Sequence, residues 1–306
     1  SGRPEGYDTD EPRRVAHAIG RMGLRFAVIT GVARDDLTDG GAWLFAESVR
    51  QVRALLPSCG VEVLIPDFRG QPEALRQVTD TEPDVLGHNV ETVPRLYKRI
   101  RPGFTYAGSL ELLARARAWL PEGCATKSNL ILGMGEERDE VLQTMADLRA
   151  VGVELLTITQ YLQPTKAHLN LQRFVPPEEF ADLKAHAEGL GFAHVESGAL
   201  VRSSYHAGEM HKAAVRKQRG QLPGDREHRP VAGWELLERP LRPAQGGEPG
   251  VALGDHLAHD IGVKFAAIND RFGRIMLCAA DERLHRTGEE EVTKLVGKAR
   301  RGEIVA

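Results

Sequence analysis

The chain has 306 residues, enough to bury a full hydrophobic core with room for a second, smaller unit. Its 42% hydrophobic and 27% charged residues are typical of a globular protein, and a net charge of −3 gives no basic field for binding nucleic acid or an anionic membrane. No apolar run approaches the roughly 18 residues that a membrane span needs, and the polar N-terminus does not resemble a signal peptide, so we expect a cytoplasmic protein.

Short apolar runs alternate with longer amphipathic stretches from about residue 11 to residue 200. Polar or glycine residues end the runs, as they end buried parallel strands, and the runs predict strands at 26–30, 61–65, 85–88, 128–132, 155–159 and 194–197. The stretches between them predict helices at 12–22, 42–56, 72–78, 92–100, 110–120, 138–151 and 177–190. Strands that alternate with helices form right-handed βαβ units. The fold class is therefore α/β, either a barrel or an open doubly wound sheet.

The series opens on a helix, with no strand before Pro12. A βα repeat that starts on a helix leaves the first strand position of a barrel empty. We therefore expect a partial barrel whose first strand and loop are missing from this sequence.

The composition changes after Arg216 and suggests three segments. Residues 1–216 form the predicted barrel, and 217–250 are rich in proline and glycine, as linkers are. Residues 251–306 predict a small α+β unit of unknown function, with a helix at 253–259, strands at 264–268 and 274–278 around a turn at 269–273, and a helix at 289–300.

Three cysteines are present, Cys59, Cys124 and Cys278, and no two have a CxxC-type spacing. So few isolated thiols argue against a disulfide framework and against a zinc site built from local pairs. We interpret them as separate buried or half-buried thiols.

Several motifs follow predicted strands, where α/β barrels place their sites. Gly40 and Gly41 precede a helix, so they either let a ligand approach the backbone and the helix N-terminus or only form a tight turn. The charged residues before them, Arg34, Asp35, Asp36 and Asp39, need partners or a ligand in a loop of this kind.

The later strand ends carry similar features. Asn89 and Glu91 end one strand, Gly133 and Gly135 turn the next into a helix, and Gln160 and Tyr161 end another. The serines Ser203 and Ser204 come before a stretch that could be helical, so either could be a helix N-cap. Each motif alone is a weak indication of function.

Five segments taken together resemble lipoyl synthase, a radical S-adenosylmethionine (SAM) enzyme. They are TGVARDDLTDGGAW (30–43), HNVETV (88–93), TKSNLILGMGE (126–136), TITQYL (157–162) and RSSY (202–205). The resemblance implies a radical-SAM (β/α) barrel that inserts two sulfur atoms, at C6 and C8 of an octanoyl group. The octanoyl group would be carried by a lipoyl carrier domain or an H protein.

The resemblance also implies roles for particular residues. The cofactors would be SAM and two [4Fe–4S] clusters. SAM would contact seven residues: Gly40, Gly41, Asn89, Glu91, Lys127, Gly133 and Gly135. Substrate would face Gln160, Tyr161, His168 and Arg173, although Leu169-Asn170-Leu171 replaces a proline-containing stretch usual in the family. Ser204, with Ser203 as the second choice, would bind the auxiliary cluster.

The cysteines that hold both clusters in this family lie upstream of the region equivalent to residues 2–12. We therefore expect that this chain alone holds no cluster and is inactive. Two other interpretations remain: a non-catalytic barrel that binds SAM or a lipoyl carrier domain, and a different α/β enzyme that uses the same face of the barrel.

Overall fold

The computed structural model describes residues 8–32, 34–220, 263–267 and 275–280. The strands are β1 (Phe26–Gly31), β2 (Gly60–Leu64), β3 (Val85–Gly87), β4 (Ala125–Leu132), β5 (Leu155–Gln160), β6 (His194–Gly198), β7 (Val263–Ala267) and β8 (Ile275–Ala280). The helices are α1 (Glu11–Arg21), α2 (Ala42–Leu55), α3 (Pro72–Thr79), α4 (Pro94–Ile100), α5 (Tyr106–Trp119), α6 (Arg138–Ala150), α7 (Pro177–Gly189) and α8 (Ala207–Gln218).

The six strands and seven helices predicted up to residue 197 are confirmed, with shifts of a few residues at their ends. The start of α5 shifts most, because the hydroxyl of Thr105 accepts a hydrogen bond from the Gly108 N–H at 3.1 Å and caps the helix earlier than expected. The helix α8 is expected from the sequence only as an alternative for the stretch after the serine pair. It continues to Gln218, past the predicted start of the linker at residue 217.

The sheet is ordered β6-β5-β4-β3-β2-β1-β8-β7. The strands from β1 to β6 are parallel and neighbour one another in chain order. A doubly wound sheet reverses its strand order near the middle, and these six strands do not. Right-handed crossovers in one direction place their helices on one face of the sheet. The described strands therefore follow the barrel pattern rather than the doubly wound alternative.

The strands β7 and β8 form an antiparallel pair, and β8 also runs antiparallel to β1. In this register Val28 is opposite Cys278, and Gly31 is opposite Ile275. The strands predicted at 264–268 and 274–278 are thus confirmed, and one of them lies beside β1, where an empty position was expected. The predicted turn at 269–273, both C-terminal helices and the linker beyond residue 220 lie outside the described residues. The division into three segments stays a prediction.

Helix α8 packs against the N-terminal ends of the parallel strands. Its buried Met210 and Ala214 contact the first residues of three strands, Val85, Ala125 and Leu155. This end of the sheet is therefore covered, and the loops at the opposite end are the ones available to ligands. Among the helices of the described part of the chain, none has the length and apolar character of a membrane span.

Candidate active site

The predicted site residues gather at the C-terminal ends of five strands, because each motif follows a strand and the strands are parallel. The glycine pair follows β1, Asn89 and Glu91 follow β3, and Gly133 and Gly135 follow β4. The substrate-facing set begins at the end of β5, and the serine pair follows β6. Lys127 differs, since it is the third residue of β4 and lies deeper in the sheet.

The glycine pair forms a turn that the protein itself stabilises. Gly40 and Gly41 have φ values of +62° and +86°, which favour glycine. A Cβ on Gly40 would lie only 3.3 Å from the Cα of Phe68. The Asp39 carboxylate accepts hydrogen bonds from the N–H groups of Gly41 at 3.0 Å and Trp43 at 2.8 Å. Asp39 thus occupies N–H groups that were expected to favour an anionic ligand. A SAM contact here stays a prediction.

Two charged residues of the same loop form an ion pair. The guanidinium of Arg34 forms an ion pair with Asp36 at 2.9 Å, and the side chain of Arg34 is only 7% exposed. With Asp39 bound to backbone N–H groups and Asp35 exposed to solvent, none of these charges requires a ligand. Their presence in the loop is therefore weaker support for a binding site than the sequence suggested.

Glu91 is held in an unusual backbone conformation at the end of β3. Its φ is +70°, and its N–H donates to the carbonyl of Asn129 at 2.8 Å. Non-glycine residues in this region are strained, and such strain is common at functional sites. Burial raises the pKa of Glu91, although the nearby Arg101 opposes that rise. The Glu91 side chain keeps 31% of its surface exposed and can accept hydrogen bonds from a ligand.

Arg101 is a residue that the sequence did not indicate. Its guanidinium donates to the carbonyl of Asn89, lies 3.9 Å from the Glu91 carboxylate and stacks 4.0 Å above the ring centre of Phe104. It therefore supports both predicted residues of this loop. A single arginine after a helix offers no pattern that could have identified it beforehand.

His88 belongs to a buried hydrogen-bond chain behind this loop. Its Nδ1 lies 3.1 Å from the Ile65 carbonyl, which can only accept, so Nδ1 carries the proton. Its Nε2 then accepts from Ser109 at 3.0 Å, and the Tyr97 hydroxyl donates to Ser109 at 2.7 Å. Burial lowers the pKa of His88 to about 4, and the charge of Arg101 adds to this effect. His88 is thus a neutral structural residue.

The loop after β4 is stabilised by an acidic side chain of the same loop. The buried carboxylate of Glu136 accepts hydrogen bonds from the N–H groups of Gly133 and Met134. A Cβ on Gly133 would overlap Gln160 and would lie 2.6 Å from the Arg173 carbonyl oxygen. Gly133 is therefore covered by the chain, which argues against an adenine lying on it.

Gly135 is more open than Gly133. Its φ is +107°, and a Cβ there would lie 3.5 Å from the nearest heavy atom, Cγ of Gln172. The side chain of Arg95 donates to the Gly135 carbonyl at 2.9 Å and fixes the turn. Of the two glycines, Gly135 is the one that leaves room for a flat group.

Gln160 has a structural role in this structure. Its amide nitrogen donates to the carbonyls of Leu132 at 3.1 Å and Tyr161 at 3.0 Å. Its amide oxygen accepts from the Val175 N–H at 2.8 Å. Because the side chain is only 4% exposed and its donors and acceptor are used within the protein, these contacts do not support a substrate contact at Gln160, which stays a prediction.

The other residues predicted to face substrate lie in the loop after β5. The Tyr161 hydroxyl donates to the Leu169 carbonyl at 2.8 Å, and His168 hydrogen-bonds Thr165 at 2.9 Å. Arg173 makes a two-point ion pair with Glu179, at 2.6 and 2.7 Å. These contacts fix the loop, and a role in substrate binding stays a prediction for all three residues.

The buried ammonium group of Lys127 has two partners. It lies 3.0 Å from the Glu62 carboxylate and also donates to the Ser203 carbonyl. The Lys127 and Glu62 side chains are 3% and 1% exposed. Burial raises the pKa of Glu62, and Lys127 opposes that rise. These contacts occupy the ammonium group within the protein, and a SAM contact at Lys127 stays a prediction.

The serine pair does not cap α8 through its hydroxyl groups. The N-cap of α8 is His206, with φ of +47° and no side-chain cap, and the Ala207 N–H donates to the Ser204 carbonyl at 3.4 Å. The N-cap alternative is therefore not supported. Ser204 is 4% exposed, and its hydroxyl has no hydrogen-bond partner among the described residues.

Glu196 of β6 anchors the segment that carries the serines. One of its oxygens lies 2.8 Å from His194 Nε2 and 3.2 Å from His206 Nδ1. Burial alone would raise its pKa, but the hydrogen bonds from both histidines lower it to about 2. Glu196 therefore stays ionised and holds His206, next to the serine pair, against the sheet.

The described residues do not fit an iron–sulfur cluster. Cys59 and Cys124 immediately precede β2 and β4, at the sheet end opposite the site loops. Burial raises the pKa of each thiol to about 11, whereas a cluster ligand must be a thiolate. Within residues 8–220, apart from residue 33, and in the two described C-terminal strands, no group of three His, Cys, Asp or Glu residues could hold a metal ion.

The fit to SAM is better and is concentrated on two residues. Glu91 offers a half-buried carboxylate that can accept from ribose hydroxyl groups, and Gly135 offers an open backbone surface. They lie at adjacent strand ends, because Glu91 forms a parallel bridge with Leu130 of β4.

Six consecutive parallel strands with these loops at their C-terminal ends define an α/β protein of the barrel type. The Radical SAM superfamily model matches residues 1–148. Among solved structures, a HydG maturase of the [FeFe]-hydrogenase has a TM-score of 0.52 at 12% identity, covering 69% of this chain and 48% of that one. HydG from Carboxydothermus hydrogenoformans has a TM-score of 0.50 at 15% identity, with coverages of 68% and 49%. These two structures support the fold alone.

Sequence comparison defines the family. The lipoyl synthase of Kineococcus radiotolerans is 54% identical over 228 residues, which cover 74% of this chain and 68% of that protein. The lipoyl synthase of Mycobacterium avium is 57% identical over 216 residues, with coverages of 71% and 69%. The chain belongs to the lipoyl synthase family of the radical SAM superfamily.

Proposed function

We propose that this chain is the barrel part of a lipoyl synthase, an enzyme that inserts two sulfur atoms at C6 and C8 of a protein-bound octanoyl group, and that it is inactive by itself. The supporting observation is that the family motifs meet at one end of the sheet while Cys59 and Cys124 lie at the other. In a complete enzyme, SAM and two [4Fe–4S] clusters supply the radical and the sulfur.

The chain's own residues would bind and orient SAM. Glu91 accepts hydrogen bonds from the ribose hydroxyl groups. Arg101 donates to the neighbouring Asn89 carbonyl and thereby keeps the Glu91 carboxylate oriented. Gly135 lets a flat group lie on the backbone. Helix α8 covers the far end of the sheet and keeps water out from that side.

We also propose that the octanoylated carrier, a lipoyl domain or an H protein, docks on the loop after β5. Two large apolar side chains of this loop are exposed, Leu162 at 47% and Phe174 at 65%. Exposed apolar residues beside a site are a common feature of protein docking surfaces. Tyr161, His168 and Arg173 lie in the same loop and would face the carrier or its acyl chain.

We further propose that β1 to β6 correspond to a radical-SAM barrel without its first strand, with residues 251–306 as a separate unit. The consecutive strand order supports the first part of this proposal. The change of composition after residue 216 supports the second.

The test uses anaerobic reconstitution with iron and sulfide. The chain alone should retain no four-iron cluster, and stoichiometric iron and sulfide with a cluster absorbance would refute the proposed inactivity. The chain should then be joined to the cysteine-bearing N-terminal segment of a family member and tested for lipoyl production. In that protein Ser204→Ala should remove about half of the iron and abolish sulfur insertion while SAM cleavage continues.

Ser203→Ala is the matched control for the serine assignment, since it alters the neighbouring hydroxyl only. It should leave the iron content unchanged. If Ser203→Ala loses the iron and Ser204→Ala does not, the ligand is Ser203. If neither variant changes lipoyl production, no serine of this motif acts as a ligand.

The alternative function, a non-catalytic barrel that binds SAM or a lipoyl carrier domain, is favoured by one observation. The residues that fit SAM best, Glu91 and Gly135, belong to the described chain, whereas its buried thiols Cys59 and Cys124 do not fit a cluster. Calorimetric titration of the iron-free chain with SAM tests this alternative. Saturable binding that Glu91→Gln weakens would support it, and absence of binding would exclude the SAM form.

A further inference from the structure

A buried ion pair joins two strands that are not neighbours in the sheet. Glu62 extends from β2 and Lys127 from β4, and β3 lies between these two strands. Their charged groups meet at 3.0 Å with almost no exposure to solvent. The Glu62 carboxylate passes 3.8 Å from the place that a Cβ on Gly87 of β3 would occupy. The pair therefore spans three strands over a glycine.

Lys127 also reaches the segment between β6 and α8. Its ammonium group donates to the carbonyl of Ser203, 76 residues further along the chain. The ammonium group thus joins β2, β4 and the serine-bearing segment at one point. Ser203 immediately precedes Ser204, whose hydroxyl has no hydrogen-bond partner in the described part of the chain. The backbone of this segment sets where the Ser204 Cα lies, and with it the region that the hydroxyl can reach.

Stability alone is a poor explanation for such a pair. Removing two charges from water is costly, and replacing a buried ion pair by apolar residues of similar size is often neutral or stabilising. Here one carboxylate oxygen, Oε1 of Glu62, is buried without a partner among the described residues, which adds to the cost. What apolar residues could not supply is the hydrogen bond to the Ser203 carbonyl.

We infer that Lys127 is a positioning residue, oriented by Glu62, that fixes the backbone of Ser203 and thereby the place of Ser204 in the fold. The functional meaning of this inference rests on the proposed role of Ser204. The contact itself does not, so it can be tested in this chain without iron, SAM or activity.

The test is hydrogen exchange of the amides in residues 201–207, measured by mass spectrometry on the folded chain. The main variant is Glu62→Met combined with Lys127→Met, which removes both charges and leaves neither one buried alone. Loss of a charge-assisted hydrogen bond should speed exchange in this segment on the order of tenfold. Amides of β4 and β5 should keep their protection, because apolar residues replace the pair inside the sheet.

Two further variants separate positioning from general loosening. Thr157→Val removes another hydrogen bond inside the sheet, from Thr157 to Asn129 at 2.7 Å, which does not involve the serine segment. It should leave exchange in residues 201–207 unchanged. Lys127→Arg keeps a donor for both partners and should restore slow exchange. Should the larger arginine prevent folding, the double methionine variant decides alone.

Unchanged exchange of residues 201–207 in the double methionine variant would overturn the inference. Equal acceleration by Thr157→Val would also overturn it, because the effect would then be general. Failure of the proposed function is distinguishable, since it is scored by iron content and lipoyl production in the joined protein. The exchange result stands whether or not Ser204 binds a cluster.

Discussion

Gly133 and Gln160 are in direct contact, so that a methyl group on Gly133 would overlap the side-chain amide of Gln160. Gly133 also has φ of +105°, a conformation that side chains disfavour. The ends of β4 and β5 therefore approach each other through a position that only glycine can fill.

Gly133→Ala should consequently reduce the free energy of unfolding by roughly 2 kcal/mol or more, from backbone strain and overlap together. Gly135→Ala is the matched control, because its φ of +107° imposes similar strain but its nearest neighbour would be 3.5 Å away. Gly135→Ala should reduce the free energy of unfolding by less than Gly133→Ala does. Urea unfolding of both variants measures the difference, and equal losses would show that the overlap is relieved by movement of the loop.

The buried neutral His88 predicts a pH dependence of stability. Its pKa is lowered from 6.5 to about 4 in the folded state. The unfolded chain therefore binds a proton between these values that the folded chain does not, so stability falls as the pH is lowered from about 6.5 toward 4. The loss from this one residue is on the order of 3 kcal/mol.

The measurement is urea unfolding at pH 7 and pH 4.5 for the unmodified chain, for His88→Gln and for the exposed control His186→Gln. His88→Gln should show a smaller loss of stability on acidification than the unmodified chain. His186→Gln should behave like the unmodified chain. Equal pH dependence in all three proteins would mean that His88 is protonated when folded.

Arg101 and Glu91 should be energetically coupled. Their charged groups are 3.9 Å apart, and the Arg101 side chain is only 11% exposed. Because Glu91 is partly solvated, the coupling should be only about 1 kcal/mol.

A double-mutant cycle with Arg101→Met and Glu91→Gln, followed by urea unfolding, measures this value. The exposed pair Arg76 and Asp80, 2.8 Å apart, serves as the comparison and should couple by about 0.3 kcal/mol. A coupling at Arg101 no larger than at Arg76 would mean that Arg101 acts through Asn89 alone.

The buried thiols of Cys59 and Cys124 should react slowly with thiol reagents. A pKa of about 11 leaves on the order of 0.1% of each thiol ionised at pH 8, roughly a hundred times less than for a free cysteine. Cys59 and Cys124 should therefore be modified slowly in the folded chain and fully after unfolding in urea. The experiment is carried out on the Cys278→Ser variant, so that only Cys59 and Cys124 can react. Rapid modification of either thiol in the folded chain would contradict the buried placement.

The sequence was a good guide to the parallel strands, because each is a short apolar run whose end is marked by a polar or glycine residue. It indicated α8 only weakly, because the buried face of this helix consists of Ala207, Met210 and Ala214. Two of these three are alanines, so the helical period carries little hydrophobic contrast. The helix is recognisable only through the strand ends against which it packs.

The site could be located from the sequence but not described from it. Motifs that follow parallel strands must meet at one edge, so the placement of Glu91 and Gly135 was predictable. The sequence did not show which polar side chains form hydrogen bonds within the protein and are therefore not available to a ligand. Asp39 and Glu136 bind nearby backbone N–H groups, and Gln160 holds a segment some 15 residues away. Such choices depend on the folded path of the loops.

The antiparallel pairing of β8 with β1 has a topological consequence. Each edge of a strand forms a ladder with one neighbour at a time, and β1 uses one edge for β2 and the other for β8. A parallel strand that joined the barrel beside β1 could do so only by displacing β8. Pairing of β1 with such a strand and pairing of β1 with β8 are therefore mutually exclusive.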